Sequence, residues 1–216
     1  MVKIAPSIFA GDFSKLGQQV VELEKAGADY IHIDIMDGHF VRHLSFGPKV
    51  IRDIKKCTNL LLDVHLMIEE PERCIWEFCE SGASIITIHV ESTLQHKWLL
   101  HEIKKAGIKA GIAVNPTTPL NVLDYLYEDI DMVSIMTSNP GLSGQSFLPD
   151  MLKKINDLRM KIIELKYPVD IEADGSINEQ NIKEVIHAGA NVIVIGRAIF
   201  TVIDKLGTIA KFKEMY

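Results

Sequence analysis

Imidazole, carboxylate and thioether groups recur at every second residue in two short stretches, His32-Ile-Asp-Ile-Met36 and Asp63-Val-His-Leu-Met67. An extended strand sends successive side chains to opposite faces. His32, Asp34 and Met36 therefore share one face, as do Asp63, His65 and Met67, while Ile31, Ile33, Ile35, Leu62, Val64 and Leu66 take the other. One such stretch is commonly just a half-exposed strand. Two with the same alternation point to a metal-binding active site. Another carboxylate, Asp174, ends an apolar run further along the chain. His32, Asp34, His65 and Asp174 together suit one divalent ion per subunit, Zn²⁺ first, with Fe²⁺, Mn²⁺ or Co²⁺ as alternatives. Two carboxylates from distant strands can also flank a bound substrate. Asp34 and Asp174 then form a two-base pair, one removing a proton and the other returning it to the opposite face. A metal on the adjacent carbonyl would stabilise the resulting enediolate.

Periodicity supplies the elements that must position these groups. Candidate strands are 3–8, 30–36, 60–67, 85–90, 109–114, 132–137, 169–174 and 191–196, with helical patterns between them. One helical stretch is 14–26, with Leu16, Val20 and Leu23 on one side, and another runs over about 149–165. A weak repeat supports the count: Ala26-Gly-Ala-Asp29, Ser81-Gly-Ala-Ser84, Ala106-Gly-Ile-Lys109 and Ala188-Gly-Ala-Asn191 each precede a strand. Glycine suits the left-handed turn that ends a helix. Strands alternating with helices imply a parallel sheet. Eight such units in 216 residues predict an α/β single-domain (β/α)8 TIM barrel over residues 1–216, with functional groups at the carboxyl ends of the strands. The rival, an open doubly wound sheet, would leave its edge strands less apolar than these.

Around the predicted rim, three glycine-bearing turns follow the last three strands: Asn139-Pro-Gly141-Leu142-Ser143-Gly144-Gln145, Asp174-Gly175-Ser176 and Gly196-Arg197-Ala198. Each alone could be an ordinary turn. Together they favour a phosphate cradle, since glycine lets backbone N–H groups approach an anion and barrels often bind phosphate after strands 7 and 8. Met36, Met67 and Met136 end strands 2, 3 and 6. They are read either as core filler or as a soft, water-excluding cap over the substrate. Ser7 and His65 are further candidate substrate contacts, although a serine at a strand end is commonly a local cap. His89 and Glu172 share the inward parity and are read as buried polar partners of the site.

Composition narrows the class. The net charge is −6, with Lys and Arg spread along the chain, which argues against a nucleic-acid partner. The longest apolar runs are too short to span a membrane. Cys57, Cys74 and Cys79 follow no metal-ligand spacing and suit reduced thiols in a cytoplasmic protein. The N-terminus enters a strand directly, without the pattern of a signal peptide.

The chain resembles the ribulose-phosphate 3-epimerase family from end to end. The resemblance rests on Ile4-Ala-Pro-Ser-Ile8, His32-Ile-Asp-Ile-Met-Asp-Gly-His-Phe40, Asp63-Val-His-Leu-Met67, Asn139-Pro-Gly141 with Gly144-Gln-Ser-Phe147, and Ala198-Ile-Phe200. It implies a TIM-barrel metalloenzyme, a homo-oligomer (dimer or hexamer), that interconverts D-ribulose 5-phosphate and D-xylulose 5-phosphate. It implies His32, Asp34, His65 and Asp174 as metal ligands, Asp34 and Asp174 as the acid/base pair, and Ser7 and the three methionines as substrate contacts. Four rim segments depart from the family's usual pattern. Arg42-His43 replaces Pro-Asn, Gly141-Leu-Ser-Gly144 replaces Gly-Phe-Gly-Gly, Asp174-Gly-Ser176 replaces Asp-Gly-Gly, and Arg197 replaces Ser. These changes fall on the phosphate end and leave the metal and base set intact. Alternatives are 3-epimerisation of a ketohexose 6-phosphate such as D-allulose 6-phosphate, and a non-catalytic sugar-phosphate-binding barrel. A related barrel decarboxylase carries Asp-x-Lys-x-x-Asp on strand 2, and this chain has no lysine between His32 and Val41.

Overall fold

Alternating apolar and chemically active residues commit each strand to two different surroundings, and the structure, a computed structural model, shows both. It describes residues 2–142, 144–202 and 204–215, apart from the side chain of Leu206. Eight strands run β1 (Lys3–Pro6), β2 (Tyr30–Met36), β3 (Leu61–Met67), β4 (Ile85–His89), β5 (Lys109–Val114), β6 (Met132–Met136), β7 (Asp170–Asp174) and β8 (Val192–Ile195). The helices are α1 (Leu16–Lys25), α2 (Pro48–Lys55), α3 (Ile75–Cys79), α4 (His96–Lys105), α5 (Asp150–Leu165), α6 (Ile182–Ala188), α7 (Arg197–Phe200) and α8 (Lys205–Lys213). The strands pair in parallel from β2 through to β8 and on to β1. A single parallel bridge, Ser7 to His32, joins β1 to β2 and completes the ring.

The outward faces of the strands meet the helices. Ile31, Ile33, Leu62, Val64 and Leu66 are fully buried in one cluster with Val20 and Leu23 of α1 and Ile155 and Leu158 of α5. Each such side chain contributes about 1.5–3 kcal/mol by leaving water. Inside the barrel the layers differ in chemistry. Ala5, Tyr30, Ile85, Met132, Val192 and Val194 make a separate apolar cluster, each 5% exposed or less. Tyr30, Ile85, Met132 and Val192 stand at the amino ends of their strands and make a packed floor, while Ala5 and Val194 are the third residues of β1 and β8. Above them lies a buried polar layer of His32, Asp63, Thr87, Ser134 and Glu172.

Several elements are shorter than periodicity suggests. β1 stops at Pro6 because the chain turns into a 3-10 helix at Ile8–Ala10. α1 begins at Leu16, after a 3-10 turn whose Asp12 side chain accepts the Ser14 N–H. β8 starts at Val192, just after Asn191, whose side chain accepts the Ile171 N–H at 2.7 Å while its backbone bonds to Ile171 and Lys3. The repeat glycines Gly27, Gly82, Gly107 and Gly189 all have positive φ, as their helix-ending role requires.

Candidate active site

Register brings the site together. Pairing of β2 with β3 sets His32 beside Asp63, Asp34 beside His65 and Met36 beside Met67. Pairing of β6 with β7 sets Met136 beside Asp174. The strands β1 and β8 separate β2 from β7, yet His32, Asp34, His65 and Asp174 each bring a ligand atom within 4.8 Å of the others. His32 Nε2 lies 3.4 Å from Asp34 Oδ1 and 3.8 Å from Asp174 Oδ2. His65 Nδ1 lies 3.3 Å from Asp174 Oδ2 and 3.8 Å from Asp34 Oδ1.

The residues fit a divalent ion. Ligand atoms about 2.0–2.2 Å from a tetrahedral ion stand roughly 3.4 Å apart, close to the spacings found. His32 Nε2 and His65 Nδ1 are buried without a hydrogen-bond partner, and both face the two carboxylates. Unpartnered buried nitrogens are costly unless something else binds them. The other nitrogen of each ring is tied down. His32 Nδ1 is 2.7 Å from Asp63 Oδ2, and His65 Nε2 is 2.8 Å from His89 Nε2. Partners of this kind fix ring orientation at metal sites.

Electrostatics favour positive charge here. Burial alone would raise the Asp34 carboxyl, but His32, His65 and the Ser7 hydroxyl outweigh it and hold it at about 2. Burial would lower His32, yet Asp34, Asp63 and Glu172 raise it well above its ordinary value. Glu172 is pushed well up by burial and by Asp63 beside it. His89 is lowered to about 4, chiefly by burial. The negative charge that raises His32 is the charge that would hold a cation.

Over this cluster opens a cleft of about 970 Å³, lined by Ser7, Asp34, Met36, Met67, Met136 and Asp174 and, further out, by Gly141, Leu142, Gly144, Gly175, Ser176, Gly196 and Arg197. Ser143 lies outside the described residues. Ser7, read as a substrate contact, donates its hydroxyl proton to Asp34 Oδ2 at 2.5 Å while still lining the cleft. His65, also read as a substrate contact, is fully buried beneath the cleft and does not line it. The Arg197 side chain is exposed at the cleft wall, and Gly196 caps α7 beside it. The three methionines lie under the cleft, and Met36 and Met67 form a small apolar cluster with Val41.

The glycine turns are tightly built. Gly141 has φ +63°, and a Cβ there would sit 2.3 Å from Val41 Cβ. Gly175 has φ +130°, and a Cβ there would sit 2.6 Å from the Ser138 nitrogen. Ser176 holds φ +56° and donates to the Gln145 carbonyl at 2.8 Å, tying the turn after β7 to the one after β6. Sequence reasoning gave no role to Asp63, although its parity with His65 placed it on the correct face. It missed Ser45, which donates to the Asp34 carbonyl at 2.5 Å and accepts the Met36 N–H at 2.9 Å. It also missed Glu91, whose only signal was the spacing His89-x-Glu91.

The model of the Ribulose-phosphate 3 epimerase family matches residues 3–200, a span that holds every strand and all four candidate ligands. The chain belongs to the ribulose-phosphate 3-epimerase family. It is 42% identical to ribulose-phosphate 3-epimerase of Bacillus subtilis over 214 residues, 99% of either chain. It is 45% identical to the chloroplastic ribulose-5-phosphate-3-epimerase of Arabidopsis thaliana, over 91% of this chain and 71% of the plant protein. The Escherichia coli K12 epimerase is 41% identical over 91% of this chain and 88% of its own. Among solved structures, orotidine 5'-phosphate decarboxylase from Pyrococcus horikoshii superposes with a TM-score of 0.72 at 15% identity, covering 98% of each chain. The 3-hexulose-6-phosphate synthase of Salmonella typhimurium gives 0.69 at 18%, covering 99% of this chain and 97% of its own. At such identities these two speak for the barrel alone. Leu142, Ser176 and Arg197 all lie within the span that matches the epimerase family.

Proposed function

We propose that the chain interconverts D-ribulose 5-phosphate and D-xylulose 5-phosphate by moving the C3 proton from one face of the sugar to the other. The observation that carries this reading is the meeting of Asp34 and Asp174, from strands separated around the barrel, at the floor of one cleft. Asp34, held at about 2, is ionised and able to accept a proton. Its orientation is fixed by the Ser7 hydroxyl and, through the backbone, by Ser45. For one epimer Asp34 takes the C3 proton and Asp174 delivers one to the opposite face; for the other the roles reverse. His32 Nε2, Asp34, His65 Nδ1 and Asp174 would hold a divalent ion, read as Zn²⁺. Bound there, it supplies positive charge against the oxyanion that develops as C3 loses its proton. Met36, Met67 and Met136 exclude water from that end, while the turns at Gly141–Gly144, Gly175-Ser176 and Gly196-Arg197 receive the phosphate. Association with further copies, read as a dimer or hexamer, rests on the family resemblance alone. The free cysteines support a reducing compartment, read as the cytoplasm. No described helix is long and apolar enough to cross a membrane.

The test compares turnover of D-ribulose 5-phosphate and D-allulose 6-phosphate, before and after dialysis against a chelator, with metal content measured alongside. Faster pentulose turnover that is lost on chelation and restored by one equivalent of Zn²⁺ is expected. A higher kcat/KM for the hexulose would reassign the substrate, and full activity without bound metal would remove the ion from the scheme.

A further inference from the structure

Past the carboxyl end of β4 lies a hydrogen-bonded chain that leads away from the cluster. His65 Nε2 faces His89 Nε2 at 2.8 Å, and their ring planes lie within 17° of each other with centroids 4.9 Å apart, an edge-to-edge arrangement. His89 Nδ1 in turn faces Glu91 Oε2 at 3.2 Å. The second carboxylate oxygen, Oε1, accepts the backbone N–H of Asn115 at 2.8 Å. That backbone is itself clamped, because Lys154 Nζ donates to the carbonyls of Asn115 at 2.7 Å, Pro116 at 3.3 Å and Thr118 at 2.5 Å.

Hydrogen-bond logic runs along this chain in one direction. An ionised carboxylate can only accept, so His89 must donate from Nδ1. Two ring nitrogens facing each other at 2.8 Å share one proton between them. With the His89 proton on Nδ1, its Nε2 is left as the acceptor, and His65 must supply the proton from its own Nε2. The Nδ1 lone pair of His65 then points at Asp34 and Asp174. We propose that Glu91 is a positioning residue which, acting through His89, selects the His65 tautomer that leaves Nδ1 free to bind the ion. The inference rests on the reading of His65 as a ligand, and it adds a residue outside the ligand set.

Glu91→Gln is the discriminating variant because it keeps size and shape. The Asn115 N–H cannot turn away, so the amide oxygen of the new side chain must accept from it and the amide NH2 must face His89. His89 Nδ1 then becomes an acceptor, the proton moves to Nε2, and the relay reverses, placing the His65 proton on Nδ1. Zn²⁺ affinity, measured by competition with a chromophoric chelator, should fall about 10- to 100-fold while the melting temperature stays close to that of the parent. Unchanged Zn²⁺ affinity in a folded Glu91→Gln protein would overturn the proposal. A parent protein that binds no Zn²⁺ would instead overturn the metal reading. Histidine ¹⁵N shifts of the parent decide the relay independently of any variant. His89 carrying its proton on Nδ1, with Nε2 bare, is expected, and the reverse pattern would sink the proposal even where Glu91→Gln fails to fold.

Discussion

Asp34 and Asp174 are the same functional group in unlike settings. Asp34 accepts a hydrogen bond from Ser7 and is 9% exposed in its side chain, while the Asp174 side chain is 13% exposed. Removing the charge at Asp174 while keeping its shape separates its two proposed roles. Asp174→Asn with metal content intact should lower kcat by roughly 10²–10⁴-fold, the usual contribution of a positioned proton-transfer group. Near-normal turnover in both directions, with the metal retained, would refute the assignment. Arg197 belongs to the other end of the cleft. Its side chain is exposed at the wall that Gly196 and Ala198 also form. A charge-assisted contact with phosphate is worth about 1.5–3 kcal/mol, and exposure to water puts this one at the lower end. Arg197→Ser should therefore raise KM by about tenfold and leave kcat nearly unchanged, since the contact is the same in ground and transition states. An unchanged KM would mean that the guanidinium takes no part and the backbone holds the phosphate.

At the scale of elements, alternation and repeats carried most of what could be read from the sequence. The near-identical parity of 30–36 and 60–67 gave the inward faces of β2 and β3, and the Gly-containing repeats gave the helix ends. What parity leaves open is register, because a slip by one residue would turn a whole strand inside out and a slip by two would change every neighbour. The register of β2 on β3 is what makes Asp63 the partner of His32 rather than of Asp34. Ser7 shows the same limit. Its place near the rim was legible, but its bond to Asp34 follows from the bridge between Ser7 and His32 that joins the two ends of the sheet. Ser45 and Glu91 were invisible for another reason. Both lie beyond strand ends, where neither period 2 nor period 3.6 applies, and their roles come from loops folding back onto β2 and from a contact with the backbone after β5. Ser176 was legible as a departure from glycine. Its positive φ and its bond to the Gln145 carbonyl required coordinates.

For the whole molecule, the packed layer of Tyr30, Ile85, Met132 and Val192 at the amino ends of the strands matters beyond stability. It leaves the cleft above Asp34 and Asp174 as the way in, and a seated sugar fills that way. In the proposed two-base scheme the proton rests, after each conversion, on the carboxylate that began without one, so the pair is set for the reverse reaction. Resetting requires exchange with water, and water reaches the pair after the product departs. On that scheme the enzyme alternates between two protonation forms, and at high turnover this recovery becomes a step in its own right. Run in heavy water and stopped early, the reaction should yield product carrying deuterium at C3, while recovered starting sugar stays almost unlabelled. Equal labelling of both would show that solvent reaches the carboxylates while the sugar is still in place.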